Sequence, residues 1–322
     1  MVVTLSSLLI LLLFFNSEKG ALTIEKSNVL KAFFPYMIIL HHVSQMMDGF
    51  GDFRWAGPYG VGVFFFISGY GLEYKRSYGV LNFKSYVKRI KRVLFPIILP
   101  VTVYLILLST NGTNIWKYAI EHLMSYSIVF PYTWFVITLI VLYTSYYSLS
   151  YLFPKSKKKL FFAEFVFLLF FSGLMMLNRM QGTYYITTYC FLMGAVYQHS
   201  ESVIMEMQSN KYIVITAILF LFLTTIIALF VPPFHGYATL GASIWTTCFI
   251  FLFTKTNAKY TPFLNHLKNI SYDVYLCQGI AFLLLTWLSV DRVWLYAIMS
   301  ILLSILFGEI CYYSRSYIKK TT

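Results

Sequence analysis

Long apolar runs alternate with short polar or basic stretches along the whole chain. Ten of these runs approach the roughly 20 residues that a helix needs to cross a membrane. The pattern therefore predicts an all-α fold, a polytopic membrane helix bundle with about ten transmembrane helices. The predicted spans are residues 29–47, 57–74, 92–110, 131–152, 160–177, 183–198, 212–231, 238–254, 271–289 and 292–314.

A shorter apolar segment, Val2 to Phe15, precedes the first of these spans. Its 14 residues fall below the roughly 18 expected of a spanning helix, and it lacks the basic start and the small-residue cleavage site of a signal peptide. The segment is expected to lie in the membrane interface, to span weakly, or to come from a start site placed too far upstream. The chain is thus divided into a short N-terminal segment, residues 1–22, and one transmembrane domain, residues 23–322.

The distribution of basic residues predicts the orientation of the helices. With the residues before the first of the ten spans placed inside, 21 of the 25 lysines and arginines fall in inner segments. The outer segments hold only four, Arg54, Lys117, Arg179 and Arg292. Because the cytoplasmic loops of membrane proteins carry the excess of positive charge, both termini are predicted to be cytoplasmic.

The composition supports this fold class. Hydrophobic residues make up 59% of the chain and charged residues 11%, against about 25% charged in soluble domains, and the mean hydropathy is +0.69. The net charge of +13 fits basic loops that face an anionic lipid leaflet. No basic module lies outside the apolar runs, so nucleic acid is not an expected partner. The four cysteines lie inside apolar runs without C-x-x-C spacing, which predicts neither a metal site nor a disulfide framework.

The first span carries the sharpest candidate for chemistry. Lys31 and His42 are 11 residues apart, which places them about 20° from alignment on one helix face with about 16.5 Å of rise between them. His41 points about 80° away from Lys31. A cation near the cytoplasm and a deeper imidazole suit a reaction that takes an anionic cofactor from the cytoplasm and uses histidine as a general base. A snorkelling lysine and two histidines bonded to neighbouring helices are the equally weighted alternative.

A second candidate is the basic segment after the second span, residues 84–96. Arg89 and Arg92, which follow Lys88, are three residues apart and so neighbours on a helix surface, and two guanidiniums so placed can bind phosphates. Taken alone, an anchor for lipid headgroups is the favoured interpretation of this segment. The small residues of 60–71 favour tight helix packing, and residues 132–135 are typical of an aromatic belt at a membrane interface.

Together these features resemble the acyltransferase-3 family of membrane acyltransferases. The matching motifs run in order over residues 29–278. They are a basic residue and a histidine in the first span, a G-V-x-x-F-F-x-x-S-G-type second span, an R-x-x-R segment that ends at Pro96, a W-F pair at Trp134, and the sequence S-Y-D-V-Y-L from Ser271 in the penultimate span. The number of spans also resembles the ten-helix core of the family.

The resemblance implies a membrane O-acyltransferase. The family typically moves an acyl group, often acetyl, from cytoplasmic acyl-CoA to a hydroxyl of a glycan or lipid-linked sugar that faces the other side of the membrane. In this chain His42 would be the catalytic histidine, and Lys31 would stand where the family usually has arginine. Arg89 and Arg92 would meet the CoA phosphates. Gln278 departs from the pattern, because the family often has a histidine there.

The expected site therefore has a catalytic part and a cofactor-binding part, and no metal is expected. Glu309 and Asp273 are acids within predicted spans, but the predicted topology places both nearer the cytoplasm than His42, so Glu309 is a candidate near the cofactor. The catalytic candidates are His42, Lys31, His41 and Glu309, and the cofactor-binding candidates are Lys31, Lys88, Arg89 and Arg92.

The expected partners are acyl-CoA, a glycan or lipid-linked sugar acceptor, and membrane lipid. Residue usage rich in lysine, asparagine, isoleucine, tyrosine and phenylalanine is typical of an AT-rich bacterial genome, which predicts the bacterial plasma membrane and a surface polysaccharide acceptor. A transporter or flippase of a glycan or lipid intermediate is an open alternative, because it would line its path with the same charges. A glycan polymerase usually has more basic residues in its outer loops than the four found here.

Overall fold

The computed structural model of the chain describes residues 19–124, 130–230, 235–257 and 261–321. The segment Val2–Phe15 lies outside these residues. Within them, the regular structure consists of α-helices and short 3-10 turns. The α-helices are α1 (Ile24–Met46), α2 (Ala56–Ser77), α3 (Phe83–Leu94), α4 (Ile98–Thr110), α5 (Ile115–Met124), α6 (Trp134–Leu152), α7 (Lys157–Leu177), α8 (Tyr189–His199), α9 (Glu201–Met207), α10 (Lys211–Phe230), α11 (His235–Phe253), α12 (Pro262–Trp287) and α13 (Val293–Thr321).

Every predicted span falls on helical structure, and the weakest match is 183–198, where a 3-10 turn is followed by the short helix α8. The chain is therefore an all-helical, multi-pass membrane protein, as predicted. The number of ten spans and the side of the termini stay predictions. Among the described residues, six segments are long and apolar enough to cross a membrane: Phe83–Thr110, Trp134–Leu152, Lys157–Leu177, Lys211–Ala228, Pro262–Trp287 and Val293–Tyr317.

Two helices begin before the apolar runs that predicted them. Helix α12 begins at Pro262 instead of residue 271, because the Thr261 side chain caps its free N–H groups and proline suits the first turn. Helix α3 begins at residue 83, because Asn82 and Ser85 form a reciprocal capping box. Capping chemistry sets both starts, so the polar first turns lie outside the apolar runs.

The centre of the bundle is formed by α1, which packs against α2 and α12, and by α2, which also packs against α8. Glycines bring α2 and α8 into backbone contact. A Cβ on Gly69 would lie 1.9 Å from the Phe191 carbonyl oxygen, and a Cβ on Gly194 would lie 2.0 Å from the Phe66 carbonyl oxygen. The tight packing predicted for residues 60–71 is thus confirmed, and it holds α2 beside α8.

Candidate functional site

Five helices, α1, α2, α3, α6 and α12, surround a cavity of about 190 Å³. Two cations reach it, Lys31 of α1 and Arg92 of α3. The rest of its wall is mostly apolar and aromatic, with Ile38, Phe64, Ser68, Phe135, Leu139 and Tyr275 among the lining side chains. A mostly apolar space with cations at its wall suits a ligand that has an uncharged arm and an anionic end.

The helical register of α1 explains why Lys31 and His42 face the same side. Lys31, Ile38 and His42 are separated by seven and four residues, so they form one stripe along the helix. Lys31 and Ile38 line the cavity together with Tyr275 of α12. The centroid of the His42 ring lies 6.4 Å from that of Phe282, also on α12. The shared helix face that the spacing predicts is therefore present in the structure.

The charges around Lys31 are positive. Lys268 and Arg89 are the charged groups that act on the Lys31 ammonium. The Arg89 guanidinium lies over the Tyr143 ring, 5.2 Å from its centroid, and the buried Nε of Arg89 has no hydrogen-bond partner within the described ranges. In the part of the chain that the structure describes, no carboxylate pairs with Lys31, Arg89, Arg92 or Lys268. Lys31, Arg89 and Lys268 are half-buried and Arg92 is exposed, and a group of cations without a counter-ion suits a bound anion such as phosphate.

An open groove of about 1720 Å³ lies next to the cavity, along α3 and α4. Lys84, Lys88 and Lys91 lie on one stripe of α3 that faces this groove, and Arg92 lines both the groove and the cavity. The cofactor candidates on α3 are therefore divided: Lys88 faces the open groove, Arg89 faces the bundle, and Arg92 stands between the two spaces. Arg92 marks the point where a ligand could pass from the surface to the buried cavity.

His42 is buried beyond the cavity, towards the end of α1. Its Nδ1 lies 3.0 Å from Oε1 of Gln45. Because an amide oxygen can only accept, the Nδ1–H of His42 donates this bond, and Nε2 of the neutral ring is left as the free base. The Tyr132 ring packs on the imidazole, with the two centroids 4.2 Å apart. A neutral imidazole with a defined tautomer can act as a general base.

His41 faces a different neighbour. A Cβ on Gly57, in the first turn of α2, would lie 2.2 Å from His41 Cδ2, so the glycine makes room for this ring. The Nδ1 of His41 is buried and has no hydrogen-bond partner among the described residues. The rings of His41 and His42 are neighbours at 5.0 Å, but His41 does not line the cavity around Lys31.

The structure brings no acid to His42 within the described residues. Oε1 of Glu309 lies 2.5 Å from Nε2 of His266, and Oδ2 of Asp273 lies 2.5 Å from the guanidinium of Arg315. The group that orients His42 is the amide of Gln45 instead. A catalytic role for Glu309 stays a prediction, and its contact in the structure is with His266.

Gln278 lies on the face of α12 that also carries Tyr275 and Phe282. It is fully buried, and neither its Oε1 nor its Nε2 has a hydrogen-bond partner among the residues that the structure describes. Along α12 it is three residues after Tyr275, which lines the cavity, and four before Phe282, which packs on His42. An amide with a free donor and a free acceptor can bind an amide or a hydroxyl group of a substrate.

Three residues of this site are not among the sequence candidates: Gln45, Tyr132 and Tyr275. Gln45 could have been found from its position three residues after His42, where helix neighbours meet. The aromatic-belt interpretation of residues 132–135 is wrong for Tyr132 and Phe135, which pack on His42 and line the cavity. Tyr275 belongs to a motif, but its bond to the Tyr132 backbone depends on how α6 and α12 meet.

Comparison with known proteins gives a match over nearly the whole chain. The model of one protein family, described as an acyltransferase domain, matches residues 24–313. This stretch begins at the first residue of α1 and includes every side chain of the site. No curated protein and no solved structure matches the chain significantly.

Proposed function

This chain belongs to the acyltransferase-3 family, as its motifs predicted, and we propose that it moves an acyl group, typically acetyl, from cytoplasmic acyl-CoA to a hydroxyl of a glycan or lipid-linked sugar. Family membership indicates a membrane acyltransferase; the donor, the acyl group and the acceptor belong to the proposal. The observation that carries it is the stripe on α1, which joins a cationic cavity at Lys31 to a buried imidazole at His42.

The donor is expected to enter at the Lys31 end, which is cytoplasmic in the predicted orientation. The basic groove along α3 would hold the nucleotide and its phosphates through Lys88 and Arg92. Lys31 and Arg89 would hold the phosphate nearest the cavity, where the Nε–H of Arg89 is an unused donor. The thioester arm would then extend through the apolar cavity towards His42, over about 16.5 Å of rise along α1.

The proposed chemistry follows from the tautomer of His42. Nε2 takes the proton of the acceptor hydroxyl while the hydroxyl oxygen attacks the thioester carbonyl carbon. The tetrahedral intermediate expels the CoA thiolate, which takes the proton from the imidazolium, so the products are an ester and free CoA. Gln45 holds the ring so that Nε2 remains the base. An acyl-histidine intermediate is an alternative route through the same residue.

We also propose that the protein lies in a bacterial plasma membrane and that its acceptor is a surface polysaccharide or the lipid-linked precursor of one. The residue usage and the predicted orientation, which places His42 in the outer third of the membrane, support this location. Family membership does not favour the alternative of a transporter or flippase.

The test uses purified protein in lipid nanodiscs and, separately, whole cells. Calorimetry measures the binding of acetyl-CoA, and a thiol reagent measures CoA release with and without isolated cell-surface glycan. We expect CoA release that depends on the acceptor, and O-acetyl groups on glycans only from cells that make the protein. Protein that does not bind acetyl-CoA, or glycans equally O-acetylated with and without it, would contradict the proposal.

A further inference from the structure

Tyr132, in the turn before α6, contacts both ends of the site. Its ring packs on His42 at 4.2 Å and on Phe282 at 5.6 Å, measured between centroids. Its backbone oxygen accepts a hydrogen bond of 2.5 Å from the hydroxyl of Tyr275, and Tyr275 lines the cavity around Lys31. Tyr132 therefore lies where the cavity ends and the histidine begins.

The backbone of Tyr132 adopts an unusual conformation. Its φ is 71°, in the left-handed region that aromatic residues rarely occupy. Three hydrogen bonds among the described residues hold the turn: the Tyr275 hydroxyl donates to the Tyr132 carbonyl, and the Thr133 hydroxyl and backbone N–H donate to the Phe130 carbonyl at 2.7 Å and 3.4 Å. The ring packs beside Gly279, 3.5 Å from where a Cβ would lie. A disfavoured conformation that its neighbours hold in place is typical of functional positions.

The ring of Tyr132, more than its hydroxyl, makes these contacts. The hydroxyl forms no hydrogen bond with any residue that the structure describes, whereas the ring helps to leave His42 only 6% exposed. The opposite end of the site adjoins the open groove along α3. The imidazole thus sits under the Tyr132 ring, whereas the cationic end adjoins the open groove.

We propose that Tyr132 is a positioning residue that keeps water away from the thioester and His42 until the acceptor hydroxyl arrives. This inference rests on the proposed function. A thioester beside a general base has two fates. Transfer converts acyl-CoA and R–OH into an ester and CoA–SH, and hydrolysis converts acyl-CoA and H₂O into a carboxylic acid and CoA–SH. Because Nε2 of His42 can take the proton from either nucleophile, the choice between them depends on which one reaches it.

The test compares three variants by the ratio of acetyl-CoA hydrolysis to acetyl transfer. Tyr132→Gly keeps the positive φ and removes the ring, and we expect this ratio to rise about tenfold. Tyr132→Phe keeps the ring, so the ratio of hydrolysis to transfer in this conservative variant is expected to stay within about twofold of the wild-type ratio. Tyr275→Phe removes the bond to the Tyr132 carbonyl and should give an intermediate ratio.

Acetyl-CoA binding, measured by calorimetry, shows whether each variant is folded. If Tyr132→Gly does not insert into the membrane, the comparison of Tyr275→Phe with the wild type tests the inference. An unchanged ratio in the folded variants, beside a wild type that transfers acetyl, overturns the water-excluding role and leaves the proposed function intact. A wild-type protein that neither transfers nor hydrolyses acetyl-CoA overturns both. A raised ratio in Tyr132→Phe equal to that in Tyr132→Gly also overturns the inference, because the ring would then not be the cause.

Discussion

The two ends of the α1 stripe are built in opposite ways. Around Lys31 the neighbouring charges are cations, and the cavity adjoins an open groove. Around His42 the neighbours are the Gln45 amide and the rings of Tyr132 and Phe282, and the imidazole is buried. Under the proposed function, one end would bind an anion that exchanges with the cytoplasm, and the other would control a proton where water is excluded.

The contrast implies that substitutions at the two ends change different kinetic constants. An interaction that binds the donor equally in the ground state and the transition state changes KM, whereas a group that acts only in the chemical step changes kcat. Changes at Lys31 should therefore appear mainly in the KM for acyl-CoA, and changes at His42 mainly in kcat.

The largest effect is expected for His42→Ala. Removal of the general base should lower kcat by about 10² to 10⁴, with acetyl-CoA binding, protein level and membrane insertion unchanged. Initial rates of acetyl transfer and calorimetry measure the two quantities. His199→Ala, at a histidine that lies against Lys157 at the end of α8, is the matched control and should keep its activity. Transfer at the wild-type rate by His42→Ala would show that this imidazole is not the base.

The next effect is expected for Lys31→Ala. Loss of a charge-assisted hydrogen bond to phosphate costs about 1.5–3 kcal/mol, which corresponds to a KM for acyl-CoA raised by about 10- to 150-fold. Lys31→Arg keeps the charge and should keep the activity. The exposed Lys117, paired only loosely with Glu121, provides a control in Lys117→Ala. A fall in kcat with an unchanged KM would place Lys31 in the chemical step instead.

A smaller effect is expected for Gln45→Leu. Without the amide oxygen, His42 Nδ1 loses its acceptor and the ring can exchange tautomers, so kcat should fall about tenfold. Gln45→Glu offers a carboxylate oxygen to the same Nδ1–H and should retain most of the activity. The measurement is kcat at saturating acetyl-CoA. Equal rates for Gln45→Leu and the wild type would mean that the contact with Gln45 does not orient the base.

The smallest effect is expected for Lys88→Ala. Lys88 lines the open groove, where water and salt screen its charge, so the KM for acyl-CoA should rise only about twofold, and less at high ionic strength. Arg89→Ala is the comparison, because Arg89 faces the bundle and should have the larger effect on KM. A larger increase in KM for Lys88→Ala than for Arg89→Ala would place the CoA phosphates on the stripe of α3 that faces the open groove.

The helices could be predicted because the length of an apolar run determines whether a helix can cross a membrane. A helix needs about 20 apolar residues to cross, and each such run falls on helical structure. The starts of α3 and α12 were missed, because the capping groups at Asn82 and Thr261 lie in polar segments that hydrophobicity does not register. The contact of the Tyr132 ring with His42 was missed for a related reason, since an aromatic residue at the end of a span fits an interface equally well.

The amino-acid sequence by itself determined that this is a helical membrane protein of the acyltransferase-3 family, and that Lys31 and His42 share one face of α1. Spacing within one helix sets angle and rise, so that part needs no tertiary information. Only the tertiary structure decided that Tyr132 covers His42 and that Glu309 meets His266. Such contacts join different elements, and they depend on helix crossings and on the geometry of a strained turn, which no spacing along the chain specifies.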